Sequence, residues 1–355
     1  MKKRSIAFFL AILTALSVSF SFISYGEEST DMSEVSSTGA VVRKQYSRDE
    51  LVCTYTFNVY GYGHGVGMSQ LGAVAYADTD GRYKWNYVQI LMHYYPQTHM
   101  AYDENRPSTI TRGGVTYDLR DFLARSTLIE IGGYCDASVK EALKTQVVAT
   151  YTFLKHFNYK ISSAGVAYTS RTPSKLIYDC VDEVIGQYLA YNGSNKPASC
   201  MYSASFCGYT TDSAETWEGA IQGLSGGVFS PEKVSISTVT MDAEDIIAIA
   251  DSYNAGKSEE KKIVLSGNPA QWLEIVEHDG AYSENIGYVV KIRIGNRTFS
   301  GNTFRNILAG VSGVPKLRSH CFSLTYDLVP GEDVAGNASE AYTDEVFDPE
   351  MVTEE

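Results

Sequence analysis

The chain has 355 residues, with 29 Lys and Arg against 42 Asp and Glu, and a net charge of −13. No basic stripe is available to neutralise phosphates, which excludes nucleic acid as a partner. Much of the negative charge lies in Gly331–Glu355, a stretch without Lys or Arg that reads as a disordered acidic tail.

The chain opens with the basic segment MKKRS and an apolar run from Ile6 to about Ser24. Residues 1–26 therefore read as a secretory signal ending at small residues near Ser24–Gly26. The run is also close to bilayer-spanning length, so an uncleaved N-terminal membrane anchor is the alternative. Both readings place the remainder outside the cytoplasm, secreted or anchored at the cell surface. Residues 27–48 form a polar linker, and 49–330 are long enough for a core of their own. The 26 tyrosines suit carbohydrate contact and suit an ordinary β-rich fold equally. Six cysteines, an even number in an exported chain, favour disulfides. With no C-x-x-C pair and no H-E-x-x-H, no metal site and no cofactor are expected.

In chain order, LVCTYTFNVY (residues 51–60) alternates and is rich in β-formers, the pattern of a strand. It runs into GYGHGVGMSQLGA (61–73), where five glycines surround a lone His64. So many glycines suggest unusual backbone angles or close approach of backbone to a ligand. A tight turn entering a helix near Ser69 or Gln70, with His64 satisfied by backbone, explains the same letters. Met68–Asp78 and Trp85–Pro96 carry helical spacing, the second stopped by its proline. LRDFLARSTLIE (119–130) places Leu119, Phe122, Leu123 and Ser126 on one helix face and ends at Glu130. After the loop IGGYCDA a longer helix is predicted from Ser138 to about Tyr159, opened by SVKE as a capping box in which Ser138 and Glu141 exchange hydrogen bonds. Beyond Gly165, short alternating runs and the turn signals YNGS, CGYTT and GNRT indicate antiparallel strands, interrupted by the amphipathic helix MDAEDIIAIADSYNAGK. The fold class is α+β: antiparallel strands with a helical pair.

Neither a Gly-x-Ser-x-Gly elbow nor a phosphate loop occurs. The best candidate acid is Glu130, flanked by Thr127, Leu128, Ile129 and Ile131. A carboxyl against apolar side chains has its pKa raised, as a general acid needs near neutrality. A solvated glutamate at a helix end fits the same letters.

The chain resembles the SpoIID/LytB family, named for the stage II sporulation protein D of endospore-forming bacteria. The resemblance is carried by GYGHGVGMSQLGAVAYA with ILMHYYPQT, by FLARSTLIE followed by KEALKTQVVATYTFLKH, by IGQYLAYNG and MYSASFCGYTTDSAETWEG, and by RTFSGNTFRNIL, together spanning nearly all of residues 51–325. It implies a peptidoglycan lytic transglycosylase acting on glycan strands, in sporulation and engulfment, with the family's catalytic glutamate falling on Glu130. That residue would protonate the oxygen between N-acetylmuramic acid and N-acetylglucosamine, then accept the C6 hydroxyl proton as the 1,6-anhydro ring closes. The opening motif then gains a purpose: glycines 61, 63, 65 and 67 would bring backbone close to a sugar, His64, Ser69 and Gln70 would offer hydrogen-bond groups near the cleft with Gly65, and Gln146 would support Glu130.

Three departures stand out. Family members follow the glutamate with a proline-containing loop, where this chain has Ile131-Gly132-Gly133. Some carry a zinc site of His and Cys between the long helix and the next strands, where this chain has only Cys180 without a matching histidine, and no zinc is expected. The glycine-histidine stretch comes first here and FSGNTFRNIL near the end, the reverse of the family order. The chain therefore reads as a circular permutant cut between strands 320–328 and 51–60, which makes those strands sheet neighbours with Cys321 facing Cys53 in a disulfide. Cys200 with Cys207 and Cys135 with Cys180 complete the expected pairing. Related LytB-type proteins modify wall amidases, so a chain that binds murein or a cell-wall hydrolase without cutting is the alternative, and a purely structural wall protein is a third.

Overall fold

The computed structural model describes residues 52–217 and 219–329. The expected signal or anchor (1–26), linker (27–48) and acidic tail (331–355) lie outside the described residues. Among those described, no helix is long and apolar enough to cross a membrane.

β1 (Val52–Tyr60) is the middle strand of an antiparallel sheet, between β13 (Phe322–Val329) and β9 (Ile236–Asp242). Its alternation is what the sequence predicts: Cys53, Tyr55, Phe57 and Val59 are buried while the residues between them are partly exposed. The buried face packs against α7 (Ala243–Asn254), α8 (Gly301–Gly310) and a second antiparallel sheet of β10 (Leu273–His278), β11 (Val289–Ile294) and β12 (Arg297–Phe299). Phe57 meets Phe322 edge-on at 5.5 Å and Phe304 at 6.1 Å.

A second core surrounds α4 (Lys140–His156), whose residues from Ala142 to Leu154 are buried save Lys144. Packed on it are α1 (Gln70–Ala77), α2 (Tyr87–Tyr94), α3 (Leu119–Ile131), α5 (Lys175–Val184) and β7 (Gln187–Tyr191). β7 pairs antiparallel with β3 (Thr98–Tyr102), and β4 (Thr109–Arg112) lies between β5 (Val115–Asp118) and β6 (Lys160–Ile161). β2 (Met68–Ser69) runs parallel to β8 (Tyr202–Ser203), and a single turn, α6 (Ser213–Thr216), follows. A small third cluster of Tyr60, Cys207, Ala281, Tyr288 and Cys321 completes the interior. The architecture is mixed α+β, as the sequence indicates.

Several expectations need correction. The Ser138–Glu141 capping box does not form. Asp136 takes the Ser138 N–H at 2.7 Å and the Ser138 hydroxyl as well, so Ala137–Val139 closes as a 3-10 turn and α4 starts at Lys140. Glu141 keeps a structural task elsewhere, accepting the N–H of Tyr87 at 3.0 Å at the start of α2. α5 stands where only strands were expected, although Ile177, Cys180, Val181 and Val184 have helical spacing and Ser174 caps it. β1 and β13 are neighbours as expected, yet Cys53 lies opposite Leu328 while the Cys321 carbonyl receives the Tyr60 N–H. Seven residues of extended strand separate these positions, roughly 20 Å, so Cys53 and Cys321 do not face each other. All six cysteines are thiols here. Neither Cys200 with Cys207 nor Cys135 with Cys180 forms the expected bond: the Cys200 thiol bonds Thr152, and that of Cys180 points to the Lys140 carbonyl at 3.9 Å.

Candidate active site

α3 buries Leu119, Phe122, Leu123 and Ser126 against α4 and α5, and Glu130, one turn beyond Ser126, shares that face. Glu130 is thereby drawn inside, 6 % exposed, although its neighbours Leu128 and Ile129 remain partly exposed. The Gln70 side-chain amide donates to one of its oxygens at 2.8 Å and the Ala167 N–H to the other at 3.3 Å. Burial pushes its pKa up to about 7, against the two donors, which favour the ionised form. Ser126 and Thr127, a turn earlier, are buried with hydroxyls that have no partner among the described residues.

Gln70 is held from two directions. Ser69 caps α1, its hydroxyl accepting the Gly72 N–H at 3.1 Å, and the same hydroxyl donates to Glu232. Glu232 is itself buried and also takes the Ser230 hydroxyl at 2.5 Å and the Phe206 N–H at 2.7 Å, while Ser230 meets the Tyr94 hydroxyl at 2.6 Å. On the other side the Gln70 amide reaches Gln146 at 3.3 Å; Gln146 donates to Thr150 at 3.2 Å, and Thr150 meets the Tyr202 hydroxyl at 3.3 Å. Of the residues proposed from sequence, Glu130, Gln70 and Gln146 thus come together, Gln146 reaching Glu130 through Gln70. Ser69 turns instead to Glu232.

His64 sits on a different set of partners. Its Nδ1 accepts the Val66 N–H and its Nε2 lies 3.1 Å from the Tyr202 carbonyl, which sets the Nε2–H tautomer. Its ring lies 5.2 Å from that of Trp217. Burial, and then the Arg305 cation, lower its pKa to about 3, so His64 is neutral at physiological pH. Arg305 donates to the Gly63 carbonyl at 2.7 Å. The glycines do bring backbone into close approach, but their partners are protein atoms. Gly65 (φ +68°) lies where an added Cβ would be 2.2 Å from the Tyr288 ring, and Gly67 (φ +78°) where it would be 2.2 Å from the Met201 carbonyl. Gly61 and Gly63 press likewise on Ser205 and Ser203.

Sequence reasoning missed Glu232, Tyr202, Thr150 and the Ala167 N–H. Tyr202 lay within a motif already singled out; Glu232 had no signal, since its partner Ser69 is 163 positions away. Among the described residues no three His, Cys, Asp or Glu side chains gather as a metal site. An open hollow of about 350 Å³ lined by His99, Gly193, Ser194 and Asn195 shares no residue with this cluster. No protein-family model, curated protein or solved structure matches the chain, so its functional reading rests on the residues of this buried cluster.

Proposed function

We propose that the protein is an exported peptidoglycan lytic transglycosylase of SpoIID-like, circularly permuted fold, with Glu130 as both acid and base. The observation that carries this reading is a buried carboxyl with pKa about 7 contacted by neutral donors, the Gln70 amide and the Ala167 N–H. Such a group is protonated in a useful fraction of molecules at neutral pH and can still leave as a carboxylate. Protonation of the glycosidic oxygen breaks its bond to C1 of N-acetylmuramic acid. The Glu130 carboxylate, stabilised by Gln70, then accepts the C6 hydroxyl proton as O6 bonds to C1, and the carboxyl is regenerated without water.

The pairing of β1 with β13 supports the permutation, because it lets the two chain ends of the described fold meet. The alternative is a non-catalytic murein-binding modifier of a cell-wall amidase. It is favoured by one observation, the 3-10 turn Gly132–Tyr134 directly after α3, where an added Cβ on Gly133 would meet nothing within 4 Å. Purified protein incubated with peptide-free glycan strands separates the readings. Catalysis yields 1,6-anhydro products from the wild type and none from Glu130→Gln; binding of glycan without product from the wild type sinks the enzymatic reading and leaves the alternative.

A further inference from the structure

Cys207 and Cys321 come from distant parts of the chain and meet at one end of β1. The Tyr60 N–H donates to the Cys321 carbonyl at 2.9 Å, and the next residue, Gly61, lies where a Cβ would be 3.1 Å from the Phe206 carbonyl carbon, the residue before Cys207. Both cysteines are fully buried in one small cluster with Tyr60 and Tyr288, and Cys207 is the side chain that acts most strongly on the Cys321 thiol. Cys53, Cys180 and Cys200 are distributed between the two larger cores, and Cys135 lies at the edge of one.

We propose that Cys207 and Cys321 form the protein's disulfide in its oxidising compartment, and that the other four cysteines stay thiols. The inference rests on the export part of the proposed function and on nothing in the chemistry at Glu130. The buried pair is shielded from oxidants once folded, and burial with the neighbouring Cys207 thiol holds the Cys321 thiol protonated. The bond therefore forms during folding by exchange with a disulfide-bearing thiol oxidase. One cysteine thiolate attacks the donor's S–S bond to give a mixed disulfide; the second displaces the donor as a thiolate. The chain loses two electrons and two protons, and the donor leaves as a dithiol.

The bond would fasten the start of β13 to the segment after β8 directly behind the glycine loop, since Tyr288, on which Gly65 packs, belongs to the same cluster. The test is export of the full chain, denaturation with an alkylating agent, and intact mass with peptide mapping. The expected result is four alkylated cysteines, a mass lower by two hydrogens, and one linked pair of peptides containing Cys207 and Cys321. Reduction, or the double variant C207A/C321A, is expected to lower Tm by roughly 10 °C, given the long loop that the bond closes. Six alkylated cysteines, or a linked pair other than Cys207 with Cys321, overturns the inference. Because the assay reads no cleavage, anhydro products from a protein with six free thiols would leave the enzymatic reading standing, and a linked protein without activity would leave the bond standing.

Discussion

Glu130 couples stability to acidity. A carboxyl whose folded pKa lies above its unfolded value leaves folding unpenalised below pH 4.5, and stability is then lost as pH rises through about 7. Glu130→Gln, which cannot ionise, is therefore expected to be more stable than the wild type at pH 8 by about 3 kcal/mol and equal to it at pH 4, measured by denaturant unfolding at both pH values. In the glycan assay, activity is expected to fall above about pH 7 as the acid form is lost. Gln70→Ala removes a donor that favours the carboxylate, so that falling limb should move to higher pH while the maximal rate drops; an unmoved limb would show that Gln70 does not tune Glu130. Buried neutral His64, with both ring nitrogens engaged by backbone, contributes no limb of its own between pH 5 and 8.

Among the elements, residues 162–173 carry the Ala167 N–H that donates to Glu130 and are strapped down by two arginines. Arg112 donates from Nε to the Val166 carbonyl at 3.1 Å, and Arg125 from one nitrogen to the carbonyls of Ser170 at 2.7 Å and Arg171 at 3.0 Å. Tyr168 in the middle stacks on Phe122 at 5.4 Å. The double variant R112A/R125A is expected to exchange the amide hydrogens of 162–173 faster and to admit water to Glu130. Burial is the largest influence on that carboxyl, so its pKa should fall even though the Ala167 donor is lost, and the basic limb of the activity profile should move down. Hydrogen exchange with the pH profile tests both effects. The elements that set this geometry were unevenly legible. α3 and the body of α4 follow from apolar periodicity because both bury a continuous stripe. The start of α4 was misread because Ser138 had a nearer competitor in Asp136, and α5 was hidden because the turn signals that follow it drew the whole stretch beyond Gly165 toward strands. Glu130 was readable as an acid among apolar sequence neighbours, with a solvated helix end as the other reading, but its partner Ala167 sits in the irregular segment between β6 and α5, where no local pattern marks a contact.

For the whole molecule, the pairing of Val52 with Val329 makes the described ends adjacent. A short hairpin linker should join them, and new ends opened in the exposed turn between Asn105 and Arg106 leave every sheet intact. The rearranged chain is expected to fold with a Tm within a few degrees of the original, by thermal unfolding followed by circular dichroism; loss of folding would show that the present order of segments is needed. The neighbouring-strand arrangement was legible only through the order of motifs, whereas the register that separates Cys53 from Cys321 depends on where β13 begins, which hydrophobic alternation in β1 does not specify.

The strand β1 starts at those paired ends and finishes at the glycine loop, nine residues later. Extended chain of that length spans roughly 30 Å. A load applied at the paired ends therefore enters the fold at one corner, a full strand's length away from the glycine loop that leads into the helix bearing Gln70.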